Sequence, residues 1–423
     1  MTEVLQHADA DLAALYAPHL MFDTNEPYLP HALGYTIFRI AGLSPSSKFA
    51  IEPLGALTIE YAIYYDWDIG HLYDLEHVWV HVGAMGEILR VEASSHGGCK
   101  VMDIGEGLPE FSSPQVFRRP SSLPGLSGHP VLYVEAGKHA HWASPAHMTE
   151  ADRQKLAVLC GPLAGIEGVH LGNPFAKRGA YTARPRDHRL ARLKMTTDAF
   201  EPGHSYRASS TEVPLLPWPD LEAIIPQRIT DIMTRLETDQ PHFAAIFLDC
   251  GDTLIDERTE EKLPGSEVVI RADLIPGAKE MMDSLKAAGH KLILVADGPR
   301  QTFVNMLTHH GLWDHFDAHI ISEDVGVHKP DVRMFDAALA AAGLTRDDAW
   351  RTVMVGNNLS RDICGANALG MTSIFMAWST LRTHEPANPS EVPDYRIDSP
   401  SELPALLDVL EMLTKYRCRP FQR

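Results

Sequence analysis

From about residue 242 to residue 400 the chain alternates short apolar runs with amphipathic stretches, and this alternation constrains the fold more than any other feature. Ala245-Ile246-Phe247-Leu248 runs straight into Asp249, then into the polar turn Cys250-Gly251-Asp252-Thr253. Further strands are expected over 291–296, 318–322, 352–356 and 371–376. Helices are expected over 277–288, 332–342 and 362–369, closed by Gly289, Gly343 and Gly370. Strands alternating with helices imply a parallel, Rossmann-like sheet with right-handed crossovers. The turns after the strands then gather along one edge, where open α/β sheets bind their ligands.

Four pieces of chemistry fall on those strand ends. They are Asp249 with Thr253, the run Ala296-Asp297-Gly298, Lys329, and Gly356-Asn357-Asn358 followed by Asp362. A carboxylate nucleophile, a cation, glycine-containing turns and a second carboxylate are the parts that phosphoryl transfer needs. Mg²⁺ binds one or two carboxylates together with phosphate and water. The formal charge of −19 argues against binding nucleic acid or an anionic membrane. The N-terminus lacks a basic start and an apolar core, and no apolar run approaches the ~20 residues a bilayer demands. The five cysteines are scattered without metal-ligand or disulfide-framework spacing. A cytoplasmic setting is expected.

The C-terminal arrangement resembles the haloacid dehalogenase superfamily over about residues 242–400, through the order of the four pieces and the run Val327-His328-Lys329-Pro330-Asp331. The resemblance implies an α/β hydrolase domain that cleaves phosphomonoesters of small molecules or macromolecules with Mg²⁺. It implies Asp249 as the phosphorylated nucleophile and Lys329 as the charge holding nucleophile and phosphate, with Asp252 and Thr253 in the first turn. Phosphate contacts fall to Ala296, Asp297, Gly298 and Lys329, and the metal set is Asp249, Gly251, Asn357 and Asp362. Three positions depart from the pattern. Gly251 stands where an acid–base aspartate is usual, Ala296 replaces a serine or threonine, and Asn357 replaces an acid. The rival reading is a catalytically weakened phosphate-binding or regulatory protein. Asp249 and Ala296 are 47 positions apart, and Ala296 and Lys329 are 33 apart, too little for a large inserted cap. The site is then open to a large substrate, or covered by another element.

The chain before residue 206 reads as a mainly antiparallel, sandwich-like β domain, a lid or metal-binding module. Strand patterns cover 57–65, 77–82, 87–93 and 129–134, with aromatic residues Tyr61, Tyr64, Tyr65 and Trp79 as core. Residues 206–241 read as a linker, Val213-Pro214-Leu215-Leu216-Pro217-Trp218-Pro219, and a helix with apolar spacing over 221–236. The hydrolase-like domain is expected over 242–410 and a tail over 411–423. Residues 55–145 resemble necrosis-inducing-like and vacuolar-sorting-related proteins through Gly70-His71, Asp74, Glu76-His77 and Ser95-His96-Gly97. That resemblance implies a second divalent cation at His71, Asp74 and Glu76. His96 joins the candidate set because strand pairing brings it near, and imidazole and carboxylate are transition-metal ligands. The rival reading places a metal-dependent reaction in this domain. Hydrogen bonds around buried turns are the plainer account, since the chain has 22 histidines.

Overall fold

A computed structural model describes residues 7–95, 97–102, 110–111, 129–209, 213–239 and 242–414. The chain divides into two compact units, Met1–Ala183 with Leu190–Asp239, and Arg184–Arg189 with Gln240–Arg423.

In the first unit the strands Ala32–Phe38, Leu57–Trp67, His71–Val82, Ile88–Ser95 and Gly98–Val101 form an antiparallel run. Two short strands join it in parallel: Leu215–Pro217 beside Ala32–Phe38, and Gly168–Val169 beside His71–Val82. A second sheet is mixed. His19–Asp23 lies parallel to His129–Val134 and antiparallel to Tyr206–Ala208. The sequence suggests a mainly antiparallel domain, and most of the pairing is antiparallel. The three parallel pairs are not legible in the sequence, because parallel partners are joined by long crossovers, which leave no local turn signal. Residues 57–65 are buried on both faces. Ile59, Tyr61, Ile63 and Tyr65 enter a core shared with the mixed sheet. Ala62 and Tyr64 face a different core, which includes the helix Trp218–Asp239. That helix, expected from the apolar spacing over 221–236, buries Leu221, Ile225, Ile229, Ile232, Met233 and Leu236. Gly34 makes the close approach possible, because a Cβ there would lie 2.9 Å from atoms of Trp218 and Leu221.

The second unit is a six-stranded sheet, parallel throughout, in the order Ala318–Ile321, Leu292–Ala296, Ala245–Leu248, Thr352–Gly356, Thr372–Met376, Tyr395–Ile397. Strand parity divides its apolar residues between two cores. Ile246, Leu248, Leu292 and Leu294 pack with Met281, Leu285, Phe303 and Leu407 from the helices Ala278–Ala287, Arg300–His309 and Leu403–Thr414. Ala245, Phe247, Ile293 and Val295 pack on the opposite face with Met334, Phe335 and Leu339 of Val332–Ala341. Numbered along the chain, the strand order is 3-2-1-4-5-6, and it reverses beside the first strand. A crevice opens at such a switch point outside the carboxyl ends of the strands. Asp249 is the first residue beyond that strand. A small hairpin, Glu261–Lys262 with Val269–Arg271, stands in the gap expected to lack a large cap. Among the described residues no helix is long and apolar enough to cross a membrane.

Candidate active site

The parallel ladder holds Asp249 by its backbone, whose N–H donates to the Val355 carbonyl at 3.0 Å. Its carboxylate Oδ1 lies 2.7 Å from Lys329 Nζ. The same ammonium lies 2.7 Å from Asp362 Oδ1 and donates to the Val295 carbonyl at 2.7 Å. Sequence order separates these groups by 80 and 33 positions, and the sheet brings them to one ammonium. Lys329 is 4 % exposed. Burial alone would lower its pKa, but Asp249, Asp362 and Asp297 hold it well above the ordinary lysine value. Asp362 is fully buried, and desolvation pushes its carboxyl up to about 7, aided by Asp249 and opposed by Lys329. A fully buried carboxylate and a partly exposed one thus share one cation.

Local geometry explains why small residues stand here. Asp362 Oδ2 accepts the Asn358 N–H at 2.9 Å and folds back over Gly356, where a Cβ would lie 2.3 Å from that oxygen. Asp362 sits in the irregular helical turn Leu359–Ile363, just ahead of Cys364–Ala368, where the sequence suggests one uninterrupted helix. Asp297 Oδ1 accepts the Lys329 backbone N–H at 3.0 Å and so fixes the lysine's segment. Gly298 donates its N–H to Ser322 Oγ at 2.9 Å.

A cavity of about 330 Å³ opens over this centre, lined by Asp249, Gly251, Lys329, Asp362, Glu257 and Arg382 among others. Asp297, Gly298 and Asn357 also reach it, whereas Ala296, Asp252 and Thr253 do not line it. Ala296 is completely buried in the core beside Phe303. Asp252 is completely buried with φ 46°; its N–H donates to Ile255 O at 2.7 Å and its Oδ1 accepts the Glu257 N–H at 3.1 Å. It closes the turn from inside instead of facing the cavity. Thr253 is likewise buried under that turn. Burial drives the Cys250 thiol far above its usual pKa, as suits packing.

Glu257 is the residue that sequence reasoning missed. A Cβ on Gly251 would lie 2.1 Å from Glu257 Oε1. The glutamate therefore occupies the space that a side chain at 251 would fill. Its Oε2 pairs with Arg382 at 3.0 Å. Burial raises its pKa, and Arg382 opposes that rise. The available signal was a glycine at 251 with an acid six positions on, but no periodicity links the two.

The proposed N-terminal set is divided by the structure. Asp74 Oδ2 lies 3.0 Å from His139 Nδ1. Glu76 is bound by the Ser94 hydroxyl, and burial, with Asp74 nearby, raises its carboxyl to about 8. His71 faces Glu167 and His170 instead. His96 lies outside the described residues. His139 is completely buried, stacked on Tyr65 at 3.8 Å between ring centres, and also lies 3.6 Å from Glu26. Burial would lower its pKa, but the bond to Asp74 and the nearby charge of Glu26 raise it to about 10. His139→Gln leaves two buried carboxylates without their cation and is expected to destabilise the first unit by about 3–5 kcal/mol. A raised histidine pKa gives a contribution that is full below the unfolded value of about 6.5 and fades as pH rises through the folded value. Urea melts of both proteins between pH 6 and 10 check this: the gap should be widest near pH 6 and narrow toward pH 10.

Comparison with known proteins finds likeness in the C-terminal region. Residues 257–376 match the family model of haloacid dehalogenase-like hydrolases, so the C-terminal region carries a domain of that family. The match begins just after Asp249 and includes Lys329, Asn357 and Asp362. Among curated relatives, the glyceraldehyde 3-phosphate phosphatase of Methanopyrus kandleri is 35% identical over 34% of this chain and 57% of its own. The phosphoserine phosphatase of Thermus thermophilus is 32% identical over 30% of this chain and 48% of its own. A pyrimidine 5′-nucleotidase of Escherichia coli is 33% identical over 31% and 56%. The chain spans about half the length of these relatives. A crystal structure of a HAD phosphatase from Thermococcus onnurineus is 29% identical over 32% of this chain and 59% of that one, with a TM-score of 0.29.

Proposed function

We propose that the C-terminal unit hydrolyses a small phosphomonoester through a phosphorylated Asp249. The observation that carries this reading is the single Lys329 ammonium within 2.7 Å of both Asp249 and Asp362, at the floor of the cavity. An Asp249 oxygen attacks phosphorus in line with the leaving oxygen. Lys329 holds that carboxylate in place and neutralises charge on the equatorial oxygens. The phosphatase and nucleotidase relatives support phosphoester chemistry, and a cavity of this volume suits a small ligand.

The residues fit Mg²⁺. Two carboxylates sharing one ammonium leave excess negative charge, and a phosphate dianion adds more. Asp249, Gly251, Asn357 and Asp362 line one cavity around this charge. Asp249, Asp362, the Asn357 amide and the Gly251 carbonyl are the oxygen donors that would hold the ion. Such an ion would neutralise charge on the phosphoryl oxygens.

Glu257 supplies the acid–base group that residue 251 lacks. It gives a proton to the departing alcohol and later takes one from the water that cleaves the acyl phosphate. Phosphate release from a panel of small phosphomonoesters, with Mg²⁺ or with a chelator, tests this reading. Turnover is expected only with Mg²⁺. Glu257→Gln should lose about 10²–10⁴-fold on alkyl phosphates, whose leaving groups need a proton. It should lose less in the phosphorylation step on p-nitrophenyl phosphate, whose leaving group does not. Equal losses on both would remove Glu257 from the proton path, and a silent panel would overturn the phosphatase reading.

A further inference from the structure

His71, Glu167 and His170 of the N-terminal unit converge on one point. Glu167 Oε2 lies 3.9 Å from His71 Nε2 and 3.8 Å from His170 Nδ1. The three ligand atoms all fall within 4.8 Å of one another. We propose that these residues bind a zinc-class divalent cation and leave one coordination position open.

The backbone builds this arrangement before any ion arrives. The short strand Gly168–Val169 pairs in parallel with the start of His71–Val82, in register His71 to Gly168 and Leu72 to Val169. Glu167 donates its N–H to Gly70 O at 3.0 Å, and His170 donates its N–H to Leu72 O at 3.2 Å. The residues on either side of the short strand are therefore pinned around His71. The Asn173 amide holds the His170 carbonyl at 2.6 Å. The Tyr73 ring lies nearly parallel to the His170 imidazole, 6.2 Å away. Gly172 leaves room for that imidazole, since a Cβ there would lie 3.2 Å from its Nε2.

The tautomer is fixed as well. His71 Nδ1 lies 2.9 Å from the Tyr73 carbonyl, an acceptor that can only take the ring proton. The lone pair then sits on Nε2, the nitrogen that faces Glu167. A backbone carbonyl holding the far nitrogen of a ligating histidine is the usual outer support of a metal site. Tyr73 adopts φ 81°, a left-handed conformation that a tyrosine rarely takes, at the residue that offers this carbonyl. Charge also favours a cation. The nearby Lys138 ammonium is bound to Asp68, so the two cancel and Glu167 remains as net negative charge.

Ligand chemistry selects the metal class. Two imidazoles and one carboxylate suit Zn²⁺, whereas Mg²⁺ and Ca²⁺ favour oxygen donors throughout. Tetrahedral zinc bonds of about 2.0–2.2 Å place ligand atoms roughly 3.3–3.6 Å apart. The two contacts to Glu167 need to shorten by only a few tenths of an ångström. Three protein ligands leave a fourth position for water or an exchangeable ligand. This set shares only His71 with the group that the family resemblance implied, and it is independent of the Asp249 centre.

Cobalt(II) tests the site, because its visible bands report nitrogen ligation in a low-coordinate geometry. The full-length protein is stripped with a chelator and titrated with Co²⁺ in excess Mg²⁺. Wild type is expected to take up one Co²⁺ per chain with strong visible bands that Zn²⁺ abolishes. Glu167→Gln and His170→Asn, both at solvent-accessible positions, should weaken this binding at least about tenfold. Asp249→Asn should leave it unchanged. Circular dichroism of the apo variants confirms that they are folded. Absent bands in wild type, or the same titration curve for Glu167→Gln and His170→Asn as for wild type, overturns the proposal.

Discussion

Asp249→Asn is expected to abolish phosphoester hydrolysis, by at least about 10³-fold in kcat, while the C-terminal unit stays folded. The substitution keeps the side chain's shape and its place beyond the Ala245–Leu248 strand. An amide oxygen is a poor nucleophile, and neither neighbouring aspartate is placed to take over. Asp252 closes the turn from inside, completely buried and outside the cavity lining. Asp362 is held by Lys329 and by the Asn358 N–H. The variant should still bind phosphate or vanadate, since the lysine remains. Steady-state kinetics on the best substrate of the panel, with circular dichroism as the folding control, checks both halves of the expectation. Residual activity above a few per cent would contradict the nucleophile role.

Lys329→Met should strike activity and stability together. The ammonium is the shared partner of Asp249 and Asp362 and also donates to Val295 O. Removing it leaves two facing carboxylates and a carbonyl without their donor. Stripping one partner from a buried ion pair costs about 3–5 kcal/mol. Protonation of Asp362, whose carboxyl already sits near 7, relieves part of that cost at low pH. Without the lysine that carboxyl titrates higher still, so the destabilisation should grow as pH rises above about 7. Loss of a preorganised cation at the transferring phosphoryl group costs a further 10²–10³-fold, roughly, in kcat. Thermal melts between pH 5 and 9, paired with kcat, separate the two effects. A variant as stable as wild type at pH 8 would show that Lys329 does not carry this charge.

The C-terminal half was legible because its signals are local. Apolar runs at 245–248, 292–296 and 352–356 are strands buried on both faces, and such strands read as uninterrupted apolar sequence. Their ends then had to meet along one edge, so Asp249, Lys329 and Asp362 could be grouped without coordinates. Side-chain direction was not legible. Asp252 and Asp249 are three positions apart, yet φ 46° at Asp252 turns its carboxylate into the turn. Gly251 reads as a missing acid in sequence, and only the fold shows Glu257 filling its space. In the N-terminal half, aromatic residues such as Tyr61, Tyr65 and Trp79 are core, as their spacing suggests. The polar cluster around them was harder. Asp74 and Glu76 turn to His139 and Ser94, while His71 meets residues almost a hundred positions away through the two-residue strand Gly168–Val169. A strand that short carries no periodicity to read.

One measurement tests the central claim most directly. The full-length protein is mixed with a phosphomonoester and Mg²⁺, quenched in acid within one turnover, and its peptides are read by mass spectrometry. Phosphate should sit on the peptide containing Asp249, labile to hydroxylamine as an acyl phosphate is, and it should be missing from Asp249→Asn. Phosphate on a different residue, or substrate turnover with Asp249 never labelled, would contradict the account.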